Sequence, residues 1–273
     1  GYNTVWYDHL VRDFSYDNNQ YLSINGNTGS GHYGASFNYK KATGIDIKTA
    51  REEFGSRFVM ENRMLNNRLQ LNGTLNARRV NETYGNTGMF DTALNMNPTM
   101  PIYNEDGSYY QPTSPTGARN PIAEVKEIDN NGQRIYVMGT AEAKLNIVQT
   151  DNQMLNTSLS YSLHYDDLKT NYYTPSTSGE SYWSGYKGRA NVEYQKWYTN
   201  RLEWLFNYSL GLDDHTLQAV VGYSYEASNW ERLQGSNNNF NFDNIKWHDL
   251  GSGSYLTEGK ASMGTGASLS RLI

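Results

Sequence analysis

The sequence predicts an all-β fold: an antiparallel up-and-down transmembrane β-barrel segment with long loops at one end. Three observations carry this. Period-two alternation dominates, with almost no helical periodicity. The largest apolar side chains of each alternating run share one side. Short and long connections alternate along the chain.

Composition agrees. The mean hydropathy is −0.77, and only 37% of the 273 residues are hydrophobic, yet 14% are aromatic and 23 are Tyr. Few aliphatics with many rings suit a protein with a wet interior and a ring-bearing exterior. The net charge of −5 gives no basic footprint for nucleic acid. Cysteine is absent, which excludes disulfides and thiolate metal sites. No run approaches the roughly 18 apolar residues of a membrane helix. The chain opens on Gly1 and stops at Ser270-Arg271-Leu272-Ile273, which reads as mid-strand. The expectation is one partial barrel domain over 1–273, an internal piece of a longer protein.

About nine strands fit the alternation template. The first two, 20–27 and 32–42, flank a Thr28–Gly31 turn; Tyr33, Ala35, Phe37 and Tyr39 alternate with Gly34, Ser36, Asn38 and Lys40. The third, 56–65, sets Arg57, Glu61 and Arg63 against Phe58, Met60 and Met64. After an Asn66-Asn67 turn, 68–78 places Leu69, Leu71, Leu75 and Ala77 opposite Asn72, Thr74, Asn76 and Arg78. The segments 134–147 and 154–165 follow; in the latter Leu155, Leu159, Tyr161, Leu163 and Tyr165 oppose Ser158, Ser160, Ser162 and His164. The strands 191–210 and 216–227 carry Leu202, Trp204, Phe206, Tyr208 and Leu210, then Leu217, Val221, Tyr223 and Tyr225. The ninth is 257–271.

Short turns join these at 28–31, 66–67, 149–153 and 211–215. Long loops are expected at 43–55, 79–133, 166–190 and 228–256. That sidedness is the pattern of transmembrane barrels. It makes strands entering long loops run outward, so Tyr39, Tyr165 and Tyr225 stand where an outer aromatic girdle belongs, and Tyr33 and Tyr208 where an inner one does. Backbone groups in hydrocarbon must pair within the protein, which leaves a closed barrel. A soluble β-sandwich also alternates, but its strands average about 5–6 residues, short of the 9–11 needed to cross.

Motif chemistry is sparse. Gly29-Ser30-Gly31-His32-Tyr33-Gly34 matches G-x-G-x-x-G, but a strand follows where a helix is required, so it reads as a hairpin turn. Glu127–Gly132 and Asn104-Glu105-Asp106-Gly107 resemble pieces of calcium loops without their full ligand set; both read as turn chemistry. Glu52-Glu53, Asp166-Asp167 and Asp213-Asp214 read as solvated loop or turn charge rather than as a facing carboxylate pair. The five His residues lack ligand spacing. No enzyme activity and no cofactor is expected.

Candidate binding residues divide in two. Asn72, Thr74, Asn76, Ser158, Ser160 and Ser162 are expected to line a polar lumen, with Arg57, Arg63 and Arg78 adding positive charge. In the loops Tyr103, Tyr109, Tyr110, Tyr172, Tyr173, Tyr182 and Trp183 offer flat faces for sugars or peptides; the alternative is that they pack the loops on themselves.

Several stretches resemble the SusC-like (RagA-like) TonB-dependent transporters of the Bacteroidota. Asn3-Thr4-Val5-Trp6-Tyr7-Asp8 is similar to that family's Asn-Thr-Asp-Trp stretch, departing at Val5. Leu22–Gly26, Tyr33–Tyr39 and Gly44-Ile45 resemble its first hairpin. Asn97–Tyr109 resembles its long-loop signature, with Asn120-Pro121 following. Asp214-His215-Thr216-Leu217 and Val221-Gly222-Tyr223 resemble its "H-x-L…G-Y" hairpin. The resemblance implies an outer-membrane importer of oligosaccharides or peptides. Its barrel would have roughly 22 strands, with an N-terminal plug. It would be lidded by a SusD-like surface lipoprotein and driven by TonB–ExbB–ExbD through regions this chain does not contain. The other classes are a secreted β-rich glycan-binding or adhesin module, marked by solubility without detergent, and a passive outer-membrane porin, marked by lack of a plug.

Overall fold

The computed structural model describes residues 1–112 and 118–269, and for 255–261 and 265–269 the backbone alone. Ser270–Ile273, which include the last two residues of the ninth expected strand (257–271), lie outside the described residues. Nine strands form one antiparallel sheet in chain order: β1 (Asp17–Thr28), β2 (Gly31–Thr43), β3 (Ala50–Met64), β4 (Leu69–Thr83), β5 (Asp129–Gln149), β6 (Gln153–Thr174), β7 (Arg189–Leu212), β8 (His215–Phe240) and β9 (Gly253–Leu269). Each strand pairs with its sequence neighbours, and the outer sides of β1 and β9 have no strand partner among the described residues.

All four short turns fall where alternation places them. Leu65, Asn66 and Asn67 turn with positive φ, as does Asp213; Asn and Asp tolerate that region better than other non-glycine residues. Gly29-Ser30 closes the first hairpin and β2 follows at once, as the turn reading of the glycine motif requires.

Hydrogen-bond register reveals strand tilt. One row of partners runs Gly31, Asn62, Leu71, Ala143, Leu159, Trp204. Traced onto β7 in this way, the four turns fall level with Trp204, Phe206, Ser209 and Leu212. The stagger is eight residues (212 minus 204) over six strand steps. With the turns at one level, and about 3.3 Å per residue and 4.8 Å per strand, the strands lean by about 40°. A closed barrel requires such a lean.

The strands are longer than expected, and unequally so. β1 has 12 residues and β8 has 26. Of the segments expected as loops at 166–190 and 228–256, residues 166–174 and 228–240 are outward extensions of β6 and β8, 189–190 begin β7 and 253–256 begin β9; residues 50–55 and 79–83 belong to β3 and β4. Glu127–Gly132 is the end of a helix and the start of β5, not a turn. Glu52-Glu53 and Asp166-Asp167 are therefore strand residues, each pair pointing to opposite faces; Asp213-Asp214 is a turn, as expected.

One sheet face is apolar and open. Leu22, Ile24, Phe58, Leu75, Leu159, Tyr161, Trp204, Val221 and Tyr223 share it by register and are all exposed. Leu159 is 47% and Tyr161 43% accessible, so no second layer among the described residues covers them. Tyr39, Tyr165 and Tyr225 lie on this face, eight, twelve and ten residues from the turn-side ends of β2, β6 and β8; Tyr33 and Tyr208 lie two and four residues from theirs.

Among the described residues, buried apolar side chains gather at and beyond the outward ends of the strands. Trp6, Leu10, Ala93, Met96, Ile122 and Val125 form one cluster, built from a 3-10 turn at Trp6–His9 and two short helices, α1 (Gly88–Asn95) and α2 (Pro121–Glu127). Two motifs read separately in the sequence meet here. Thr4 N donates to Pro98 O at 2.8 Å, Thr4 Oγ1 to Met100 O at 2.8 Å and Trp6 Nε1 to Asn97 O at 3.1 Å. Val5, where the first motif departs from its pattern, is exposed, so the substitution disturbs none of these bonds. A second cluster joins Tyr173, Ala190 and Phe240 with Trp247 and Leu250 of the β8–β9 loop.

Open strand edges and a wide apolar band dictate behaviour in water. The 273-residue chain expressed alone in detergent-free buffer is expected to aggregate; a sharp cooperative melt of a monodisperse species would contradict this.

Candidate functional site

Opposite the apolar band lies a polar face. All nine residues expected to line a lumen fall on it. The row Asn72, Glu142, Ser160, Glu203 crosses β4 to β7, and beside it run Thr74, Thr140, Ser162 and Arg201. Thr140 Oγ1 and Ser162 Oγ are 3.3 Å apart. Arg57 pairs in register with Asn76, and Arg63 with Gln70, which leads through Lys144 to Ser158. Gly222 makes room for the Leu205 side chain on this face, since a Cβ there would stand 2.3 Å from Leu205 Cδ2.

The charge on this face differs from the expected excess of arginine. Arg63 Nη2 lies 3.0 Å from Glu61 Oε1, and Arg78 Nη1 lies 3.4 Å from Glu53 Oε1. All three arginines are exposed, and Arg57 alone of them has no ion-pair partner among the described residues. Further pairs complete a network. Arg51 bridges Glu53 at 2.8 Å and Glu82 at 2.6 Å. Arg134 grips Asp166 through both nitrogens, with Nε at 2.8 Å from Oδ1. Glu53 and Asp166 are buried, and burial favours a partner for each carboxylate. These residues escape the sequence reading because 50–55 and 166–190 read as loop. The signal was nevertheless available: an Asn66-Asn67 turn places Arg78 opposite Gly55, diagonal to Glu53.

Asp166→Ala removes a two-point grip and leaves Arg134, which is half exposed. The expected cost in the intact protein is about 1–2 kcal/mol, discounted for that exposure. A double-mutant cycle with Arg134→Leu, read by thermal denaturation in detergent, isolates the coupling.

The loop rings divide. Tyr103 and Tyr109 stack at 5.0 Å across a small hairpin closed by an isolated bridge. Its tip is Asn104-Glu105-Asp106-Gly107, where Asp106 Oδ1 accepts from Ser108 N at 2.9 Å and Ser108 Oγ at 2.6 Å, and Gly107 has φ +84°. That is turn chemistry, as read. Tyr103 is exposed, and Tyr109 and Tyr110 are half-buried. Tyr182 is exposed and meets Trp183 edge-on at 4.9 Å. Tyr172 and Tyr173, expected in a loop, are residues of β6; the Tyr172 hydroxyl donates to Glu180 at 3.4 Å. Tyr173 is 1% exposed and anchors loop packing, which removes it as a free contact surface.

Two loop carboxylates show opposite electrostatics. Burial, and secondarily Glu180, pushes the Glu124 carboxyl up against the opposing pull of Arg119, 3.3 Å away. At Asp243 burial acts upward too, but bonds from Ser176 and Tyr173 outweigh it and hold the carboxyl below its ordinary value. Asp243 accepts from Ser176 Oγ and Tyr173 Oη at 2.7 Å each, tying the β6–β7 and β8–β9 loops together. Its stabilisation is complete above the unfolded pKa and is lost as pH falls through the lower folded one. Acidification below about 4 is expected to speed proteolysis at 175–188, and Asp243→Asn to produce that sensitivity at neutral pH.

No known family profile matches the chain. It is 26% identical over 236 residues to TonB-dependent receptor P26 of Formosa agariphila, covering 85% of this chain and 23% of that protein. It superposes on a chain of the RagAB peptide importer in its closed-closed state with a TM-score of 0.74 and 16% identity, over 97% of this chain and 30% of that one. The open-open state matches equally, at 0.74 over 96% and 30%. The chain thus spans less than a third of the length of these relatives. The fold is that of a barrel segment, and the motifs and the comparisons agree on likeness to a SusC/RagA-like TonB-dependent transporter.

Proposed function

We propose that residues 1–273 form part of the barrel wall of an outer-membrane importer that takes up oligosaccharides or peptides in a TonB-dependent manner. The single observation that carries this is the two-faced tilted sheet: an exposed apolar band backs onto a continuous face of hydroxyls, amides and paired charges. The apolar face meets hydrocarbon, with Tyr39, Tyr165 and Tyr225 at the outer interface and Tyr33 and Tyr208 at the inner. The polar face lines the passage. Most of its charges are paired and the others are of both signs, so it presents donors and acceptors without a strong net field, which suits neutral or zwitterionic cargo.

The strand extensions beyond the band lift the loops well clear of the membrane. There Tyr103, Tyr109, Tyr110, Tyr172 and Trp183, with the exposed Tyr182, stand at the outer mouth, for contact with cargo or with a SusD-like lipoprotein lid. The energy-coupling complex TonB–ExbB–ExbD acts through parts of the protein outside this chain. A secreted adhesin module is disfavoured because nothing in the described residues covers Leu159, Tyr161 and their neighbours.

The test uses the full-length protein in its outer membrane. This chain has no cysteine, so Ser160→Cys and Leu159→Cys introduce unique thiols in it. Ser160→Cys is expected to react with a water-soluble maleimide and Leu159→Cys only with a lipid-partitioned one. Uptake of labelled oligosaccharide and peptide should collapse on deletion of TonB. Uptake that persists without TonB would leave a passive pore, and the reverse labelling pattern would end the barrel reading.

A further inference from the structure

We infer that the outer wall carries a binding site for the phosphorylated sugar headgroup of an outer-leaflet glycolipid; this rests on the membrane placement proposed above. The site is a polar cleft of 500 Å³ at the outward ends of β2 to β6. Register puts most of its lining on the same face as the apolar band, away from the passage. Lys41, Glu52, Asn81, Gln133 and Lys169 form one row, a single side-chain step beyond Tyr39 and Phe54. Asn131 and Asn171 lie one step further out. The cleft therefore begins where the proposed lipid band ends, at headgroup height.

Its chemistry suits a saccharide. Gln133 Nε2 donates to Asn81 Oδ1 at 3.0 Å, and Asn171 Nδ2 to Asn131 Oδ1 at 2.9 Å. Each bond leaves the remaining amide atoms of the pair for a ligand. Asn171 is only 7% exposed, and its buried Oδ1 has no hydrogen-bond partner. A buried acceptor without a donor is costly, and a sugar hydroxyl is a donor of the right size. Among the described residues Lys41 and Lys169 have no carboxylate within salt-bridge distance as they flank the amides; Lys169 rests over the Tyr194 ring at 5.0 Å. Glu52, the one carboxylate in the row, is engaged by the Tyr39 hydroxyl at 2.7 Å. Two free ammonium groups around an amide cluster fit a phosphate-bearing sugar, and the outward position assigns that sugar to a membrane lipid rather than to cargo.

The experiment uses the full-length protein in nanodiscs of phosphatidylcholine doped with lipopolysaccharide, with retained lipid measured by native mass spectrometry. Lys41→Ala with Lys169→Ala is expected to lower retention about 25-fold, since each lysine near an anionic surface contributes about fivefold. Asn171→Leu should lower it further. Lys40→Gln, one residue away on the passage face and paired to Asp17 at 2.8 Å, should leave retention unchanged. Equal retention by the double variant and the wild type overturns the site. So does displacement by millimolar free glucosamine phosphate, which would make the ligand a soluble sugar phosphate. Failure to insert into nanodiscs at all would sink the membrane reading instead, which separates the two.

Discussion

Leu159→Arg in the full-length protein is expected to cost about 2–4 kcal/mol, while Ser160→Arg next to it costs almost nothing. Leu159 stands on the apolar face between Ala143 and Trp204, six residues from the turn-side end of β6 and six short of Tyr165. That is the middle of the proposed lipid-facing band, where a guanidinium would have neither water nor a partner within reach. Ser160 points the other way, between Glu142 and Glu203, so an arginine there gains two carboxylate neighbours. Urea titration of the protein in lipid vesicles reads both, with heat-modifiable gel mobility as a second readout of barrel assembly. The contrast between adjacent residues matters more than either value, because a soluble sandwich would penalise whichever face is its core. If Ser160→Arg proves the more damaging, the assignment of lipid and passage faces is inverted.

The same segment shows how far sequence reading reaches. From Leu155 to Tyr165 one face is greasy and the other is wet, so period two is visible and strand, face and register follow. From Asp166 onward both faces carry polar residues: Asp166 and Asp167, then Lys169 and Thr170. A strand with no apolar side has no alternation to detect, so the outward parts of β6 and β8 read as loops beyond the apolar band. The polar face lost its ion pairs for the same reason, since Glu53 and Asp166 sit on such extensions. Loop architecture was illegible on other grounds. The docking of Thr4 and Trp6 onto Asn97–Met100 joins segments more than ninety residues apart, and no local periodicity encodes it. Helices of six to eight residues are too short to establish a 3.6 period. The start of α2 alone was signposted, by Asn at the cap and Pro at the first helical position.

That cap, Asn120, carries the second large prediction. Its side chain is fully buried and uses both ends. Oδ1 accepts from Ile122 N at 3.1 Å and Ala123 N at 3.2 Å, capping α2. Nδ2 donates to Ile102 O and Tyr110 O at 2.9 Å each, closing the neck of the Tyr103–Tyr109 hairpin. Asn120→Ala therefore removes a cap, worth about 1 kcal/mol, and strips donors from two carbonyls at about 1 kcal/mol or more each. The expected total is about 3–4 kcal/mol, felt locally because the sheet below is held by its own ladders. Asn120→Asp separates the two functions: it keeps the cap acceptor and loses both donors, so about two-thirds of the cost remains. Limited proteolysis of the detergent-solubilised protein should show new cleavage between 103 and 110 in both variants, faster in Asn120→Ala, with the heat stability of the barrel unchanged. A global loss of barrel stability in Asn120→Ala would mean that the hairpin and α2 are coupled to the wall. Cleavage equal to wild type in Asn120→Asp would mean that the two donated bonds do not hold the Tyr103 and Tyr109 rings at the outer mouth.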